Sequence, residues 1–128
     1  MENFDGKIAV ITGGGTGMGR ELTYQLAAEG CHVSICDVIE ENMEETFQEA
    51  TKKYPHVKIT KHLCDVSSEE DVLRFRDEVL EQQETEHINL LFNNAGIGGG
   101  ASFVLSGIEE WERTFKICWD GVYLCSRA

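Results

Sequence analysis

The sequence predicts an α/β fold: a parallel sheet of four strands in the order three, two, one, four, with helices on both faces. Three observations predict it. Short apolar runs alternate four times with segments of helical period, and the connections between them are short, which is the pattern of βαβ units. A glycine-rich stretch, Gly13 to Gly19, falls between the first apolar run and the first helical segment. The fourth run, Ile88 to Phe92, is nearly continuous in apolar character, as expected of a central strand covered by helices on both faces. Right-handed crossovers then place ligands in a crevice beyond the C-terminal strand ends.

The elements follow in order. Strand one is Lys7 to Thr12. Helix A starts near Gly17 and buries Met18, Leu22 and Leu26, and Gly30 ends it. Strand two is His32 to Cys36. Helix B carries Met43, Phe47, Ala50 and Tyr54 at helical steps until Pro55, which has no N–H to continue it. Strand three is Val57 to Leu63. In helix C, Ser67-x-x-Glu70 reads as a capping box, Val72, Phe75 and Val79 form the inward stripe, and the end falls near Gln83. Asn93-Asn94-Ala95-Gly96 closes strand four. Ile97 to Gly107, rich in Gly and Ser, is expected to be a mobile loop. Ser106-x-x-Glu109 is expected to cap a last helix with Trp111, Phe115, Cys118, Val122 and Cys125 on one face. No Gly, Asn or Pro follows Cys125, so the chain stops inside a helical pattern. The expectation is one domain over residues 1–128, truncated after the fourth strand and the following helix, with strand four left as an apolar edge open to pairing.

With 128 residues, 41% hydrophobic and 27% charged, the chain has the composition of a soluble globular domain. A formal charge of −12 excludes a nucleic-acid or anionic-membrane surface, which needs clustered Lys and Arg. Glu40-Glu41 and Glu44-Glu45 read as a solvated helix face. The first residues lack the basic flank and apolar run of a signal peptide, and no segment is long enough to span a membrane, so a cytoplasmic location is expected. Five cysteines without a C-x-x-C pair read as reduced thiols: Cys36, Cys64, Cys118 and Cys125 as small buried hydrophobes, none as metal ligands. The four histidines are expected at surfaces or strand boundaries.

The glycine-rich turn is a phosphate-binding design. Glycines let the backbone approach a pyrophosphate with no Cβ in the way, and the free N–H groups and dipole of the next helix attract negative charge. The spacing G-x-G-x-x-G is absent, and Thr12-Gly13-x-x-x-Gly17-x-Gly19 stands in its place. Asp37 ends strand two, eighteen positions after Gly19, where an acid can accept hydrogen bonds from a ribose. Asp65-Val66 ends strand three.

The glycine motif, with Asn93-Asn94-Ala95-Gly96 at the end of strand four, resembles the short-chain dehydrogenase/reductase family, and the likeness runs from Lys7 to Ala128. It implies the N-terminal, cofactor-binding half of a Rossmann-like oxidoreductase that uses NAD on an alcohol or ketone. The cofactor residues it implies are Gly13, Gly15, Thr16, Gly17, Met18, Gly19, Asp37, Val38, Asp65, Val66, Asn93, Ala95 and Gly96. Asp65 would meet the adenine amino group, Val66 its face, and Asn93 would stabilise the sheet while Ala95 and Gly96 line the cofactor. Gly98, Gly99, Gly100 and Phe103 would line one side of the substrate pocket. The helix beginning near Glu109 would help form a homo-oligomer. Asp37 favours NAD over NADP, because its carboxylate repels a 2′-phosphate and neither Gly14, Gly15 nor Val38 is replaced by a cation.

The chain also departs from the family pattern. Cys118 stands where the family has an Asn that helps hold a water chain. The family's catalytic Ser and Tyr-x-x-x-Lys come after Ala128, so no catalytic residue is assigned. Tyr54 and Lys58 match that spacing, but Pro55 prevents the helix that would align them, and Tyr123 with Arg127 offers a guanidinium in place of an ammonium. Three functions compete: the cofactor-binding half of an oxidoreductase, a naturally short nucleotide-binding protein without catalysis, and an interaction module.

Overall fold

The structure is a computed structural model and describes residues 3–99 and 102–128. Met1, Glu2 and Gly100, which carried parts of the signal-peptide and substrate-loop readings, lie outside the described residues. The elements are β1 (Ile8–Thr12), α1 (Gly17–Ala28), β2 (His32–Asp37), α2 (Glu40–Lys53), β3 (Ile59–Leu63), α3 (Glu69–Gln83), β4 (Leu90–Phe92), α4 (Ile108–Phe115) and α5 (Gly121–Arg127), with a π-helical turn, Lys116–Asp120, between the last two. The strands form a parallel sheet in the predicted order β3-β2-β1-β4. Its register sets Ile11 beside Ile35 of β2 and Phe92 of β4.

Alternation along the strands divides the core between the two faces. Ala9, Ile11, Val33 and Ile35 point to one face and pack with Leu26 and Ala27 of α1 and Met43 and Ala50 of α2. Val10 and Cys36 point to the other and pack with Val72, Phe75 and Val79 of α3, while Ile117, Leu124 and Cys125 lie partly buried against them. Burial on both faces is why β1 and β2 are apolar along most of their length.

Two helix ends follow from local chemistry. At the end of α1, Gly30 takes φ +82°, the Cys31 N–H donates to the Leu26 carbonyl (3.0 Å) and the Gly30 N–H to that of Ala27 (3.1 Å), a Schellman arrangement. α2 ends at Lys53, one residue short of Tyr54 and directly before the Tyr54-Pro55 pair.

Several expectations are corrected. Met18 is 80% exposed, and the buried residues of α1 are Gly19, Thr23, Leu26 and Ala27. Thr23 can be buried because its hydroxyl donates to the Gly19 carbonyl (2.8 Å). β3 starts at Ile59 and β4 at Leu90, because side chains take over at the strand entrances: His32 Nδ1 accepts from the Lys58 N–H, and Asn89 Oδ1 from the Ile8 N–H. β4 is only half buried, since among the described residues it pairs with β1 alone. The cap of α3 is Ser68, whose Oγ accepts from the Asp71 N–H, whereas the Ser67 hydroxyl donates to Asp65 Oδ1. Gly107, not Ser106, is the N-cap of α4, and no side chain caps it.

The last helical segment also presents a different face. Gly121 is buried and Ile117, Leu124 and Cys125 are partly buried, with a π turn across Lys116–Asp120. Trp111, Phe115 and Trp119 stack outward as a ladder with centroids 5.3 and 5.8 Å apart, and Cys118 is exposed with them. His62 departs in the opposite sense: it is buried between Thr60 Oγ1 (2.9 Å) and Glu78 Oε2 (2.8 Å), against the Phe75 ring. Ser34 and Gln83 extend this buried polar chain, so each member has a partner.

Candidate functional site

The C-terminal ends of β1, β2 and β3 open into a cleft of about 410 Å³. The turn after β1 forms one wall. Gly13 sits at φ +68° and Gly17 at φ +56°, where a side chain would be strained, and a Cβ on Gly19 would lie 2.1 Å from the Gly13 carbonyl oxygen. A Cβ on Gly17 would meet nothing within 4 Å, so that position borders open space.

The turn is held from three sides. The Gly15 N–H donates to Asp37 Oδ2 (3.0 Å), while its carbonyl accepts from Arg20 Nη2 (2.6 Å), Arg20 Nε (3.0 Å) and the Thr46 hydroxyl (3.1 Å). Arg20 also pairs with Glu45 (2.9 Å), which ties α1 to α2. On the β4 side, Asn94 Nδ2 donates to the carbonyls of Thr12 (3.0 Å) and Gly13 (3.1 Å), and the Asn94 and Ala95 N–H groups both donate to Thr12 Oγ1.

The helix start is unusual for so acidic a chain. α2, α3 and α4 each carry acidic residues in their first turn, and α3 has a side-chain cap as well. α1 has no acid in its first turn, and Thr16, its N-cap, makes no side-chain cap bond. The donors and positive dipole end of α1 are thus left without an anion from its own first turn.

The carboxylates are already partly engaged. Asp37 accepts from Gly15 through Oδ2 and from the Val38 (2.8 Å) and Ile39 (3.3 Å) N–H groups through Oδ1. Asp65 Oδ1 accepts from the Ser67 N–H (2.9 Å) and hydroxyl (2.6 Å). Beneath them the Cys36 thiol is pushed well above its usual pKa by the neighbouring Cys64 thiol and by burial, and burial raises Cys125 to about 11. Cys36 and Cys125 are therefore thiols rather than thiolates at neutral pH.

Most residues anticipated from sequence meet here. Gly13, Thr16, Met18, Asp37, Val38, Asp65, Val66, Ala95 and Gly96 line the cleft, while Gly15, Gly17 and Gly19 shape the turn behind it. Asn93 does not join them. Its Nδ2 donates to Ser126 (3.0 Å), its Oδ1 is buried without a partner among the described residues, and it borders a neighbouring hollow with Glu21 and Gln25. At the C-terminal strand ends the side-chain amide that joins the β4 side to β1 belongs to Asn94, because strand alternation turns Asn93 away. Arg20, Thr46, Ile39, Arg113 and the Thr12 hydroxyl were not singled out in the sequence. Thr12 and Asn94 stood inside recognised motifs, whereas no sequence signal links Arg20 to Gly15. The Cys118 thiol, in the family's Asn place, contacts the Ile97 carbonyl (3.6 Å). Tyr54 and Lys58 lie at the other end of the sheet, where Lys58 pairs with Glu84. Tyr123 is exposed and accepts from Arg127 (3.1 Å).

A parallel sheet in the order 3-2-1-4 with a glycine turn and an uncovered helix start at its ligand-binding end defines a Rossmann-like α/β protein. Residues 7–128 match the short chain dehydrogenase family, and the chain belongs to it. Meso-2,3-butanediol dehydrogenase of Serratia marcescens is 33% identical over 124 residues, covering 97% of this chain and 47% of that protein. Epidermal retinol dehydrogenase 2 of Homo sapiens is 34% identical over 116 residues, covering 91% of this chain and 37% of that protein. NAD⁺-bound xylitol dehydrogenase superposes with a TM-score of 0.88 at 30% identity, covering 98% of this chain and 47% of the other. A short chain dehydrogenase/reductase from Burkholderia phymatum in complex with NAD gives 0.90 at 33% identity, covering 99% and 44%. The chain thus spans less than half the length of these relatives.

Proposed function

We propose that this chain is the NAD-binding part of an oxidoreductase that moves a hydride between NAD(H) and an alcohol or ketone. The observation that carries the reading is the start of α1: a glycine turn bordering open space, helix donors without a capping side chain, and no acid in the first turn of a chain with a net charge of −12. NAD, when bound, would supply the hydride acceptor for oxidation of an alcohol to a ketone, with a proton released to solvent. The chain's own residues bind and orient. Gly13, Gly15, Thr16, Gly17, Met18 and Gly19 would form the pyrophosphate cradle, and Asp37 and Val38 would meet the ribose. Asp65 and Val66 would meet the adenine, and Ala95 and Gly96 the far half of the cofactor.

Asp37 fits a ribose hydroxyl. A carboxylate offers about four acceptor positions; three backbone N–H groups use three of them, and one is left for the sugar. Its negative charge opposes a 2′-phosphate, which favours NAD over NADP. A homo-oligomer in the cytoplasm remains part of the reading, supported by the exposed ladder on α4 and by β4. Among the described residues no helix is long and apolar enough to cross a membrane.

Calorimetry on the 128-residue chain is expected to show ADP-ribose and NAD binding with similar affinity, because the named contacts lie toward the adenosine half. NADH formation with an alcohol panel is expected to be absent. Without a positioned acid/base group, about 10²–10⁴ in rate is missing. Binding abolished by Gly17→Trp supports the site; ADP-ribose affinity unchanged in that variant refutes it.

A further inference from the structure

We propose that Arg113 closes the adenosine end of the cleft by laying its guanidinium against the purine face, an inference that rests on the cleft being the dinucleotide site. Arg113 stands on α4 where the main cleft joins a second hollow of about 430 Å³, and the two share Val38, Asp65, Arg113 and Ile117. Its guanidinium has neither an ion pair nor a hydrogen bond among the described residues, whereas Arg20, Arg74, Arg76 and Arg127 each hold a partner.

The main cleft that it borders carries uncovered apolar side chains: Met18, Val38 and Ile39 are each more than half exposed. Asp65 Oδ2 has no hydrogen-bond partner among the described residues, since Ser67 engages Oδ1 alone. Apolar walls, one free acceptor and one unpaired planar cation suit a flat heteroaromatic base with an amino group at its edge. A guanidinium stacks on such a face through its own plane as well as its charge.

The same cation could instead pair with a 2′-phosphate, but the surroundings oppose that. The second hollow is lined by Asp65, Glu109 and Glu112, with Lys116 as the other cation, so a phosphate there would meet three carboxylates. Stacking requires no anion in that position.

The test is titration calorimetry of ADP-ribose and 2′-phospho-ADP-ribose against wild type, Arg113→Met, Arg113→Lys and Gly17→Trp. Arg113 is exposed and belongs to neither core cluster, so all Arg113 variants should keep the wild-type circular dichroism. Arg113→Met is expected to weaken both ligands by a similar factor of about 3–10. Arg113→Lys, which keeps the charge and loses the plane, is expected to recover only part of that loss. Unchanged ADP-ribose binding in Arg113→Met overturns the inference, as does a loss confined to the 2′-phosphorylated ligand or full recovery by Lys. Binding abolished by Gly17→Trp but indifferent to Arg113→Met removes this inference alone. Binding that survives Gly17→Trp removes the dinucleotide reading with it.

Discussion

Two glycines of one turn have separate reasons to be glycine. At Gly17 the backbone is left-handed but open, so Gly17→Ala is expected to cost about 1–2 kcal/mol from conformation alone. At Gly19 a Cβ would stand 2.1 Å from the Gly13 carbonyl oxygen, and the turn itself must move. Gly19→Ala is therefore expected to be the more destabilising of the two in urea unfolding, and to lower ADP-ribose affinity through displacement of Gly13. His62 gives a pH dependence with a definite sign. Burial lowers its pKa below the ordinary 6.5, and Glu78 opposes the shift. As the pH falls below 6.5, the unfolded chain takes up a proton that the folded chain resists, so the stability due to neutral His62 is present above 6.5 and lost on acidification. Glu78→Gln removes the opposing charge and is expected to steepen the loss of stability between pH 7.5 and 5.5, as read by urea unfolding at each pH.

At the scale of elements, hydrogen-bond competition between neighbouring serines decides the start of α3. Ser67 is occupied by Asp65, so Ser68 caps the helix. Ser68→Ala is expected to cost about 1 kcal/mol of stability in urea unfolding, as loss of an N-cap does. Ser67→Ala spares that cap and is expected to act on the turn that holds Asp65. The sequence pattern named S-x-x-E correctly as a helix start but put it one residue early, because two adjacent serines each precede an acid at the right spacing: Ser67 before Glu70 and Ser68 before Asp71. The last helical segment shows a larger version of the same limit. Its stripe was read as facing inward, whereas Trp111 and Phe115 are already exposed ahead of the π turn, and Ile117, Gly121 and Leu124 are the residues that meet the core.

For the molecule as a whole, the exposed aromatic ladder lies on α4 and the π turn, and β4 is half buried. Trp111 and Trp119 are 58% and 66% exposed and bracket Phe115. Such a contiguous aromatic surface, together with a strand paired on one side among the described residues, favours self-association. Light scattering is expected to give a mass above that of the monomer, and the double variant Trp111→Glu, Trp119→Glu is expected to shift it toward the monomer. A wild-type monomer at high concentration would contradict the expected oligomer.

The alternation of strands and helices, the sheet order and most of the cleft were legible in the linear sequence, because each rests on local periodicity, glycine or a short motif. Thr12-Gly13-x-x-x-Gly17-x-Gly19, Asp37, Asp65 and Asn94-Ala95-Gly96 fall together because parallel βαβ units carry every strand's C-terminal end to the same edge. Tertiary structure alone decided which amide joins the β4 side to β1 at the C-terminal strand ends, that His62 is buried, that Arg20 reaches Gly15 across the first turn of α1, and that Arg113 meets the cleft from α4. Those outcomes depend on strand alternation and on partners 5 to 82 positions apart in the chain, as Arg20 with Gly15 and Asn94 with Thr12 show. Periodicity fixes which face of an element is apolar; the hydrogen-bond partner that a polar group finds after packing is set by distances that exist only in the folded chain.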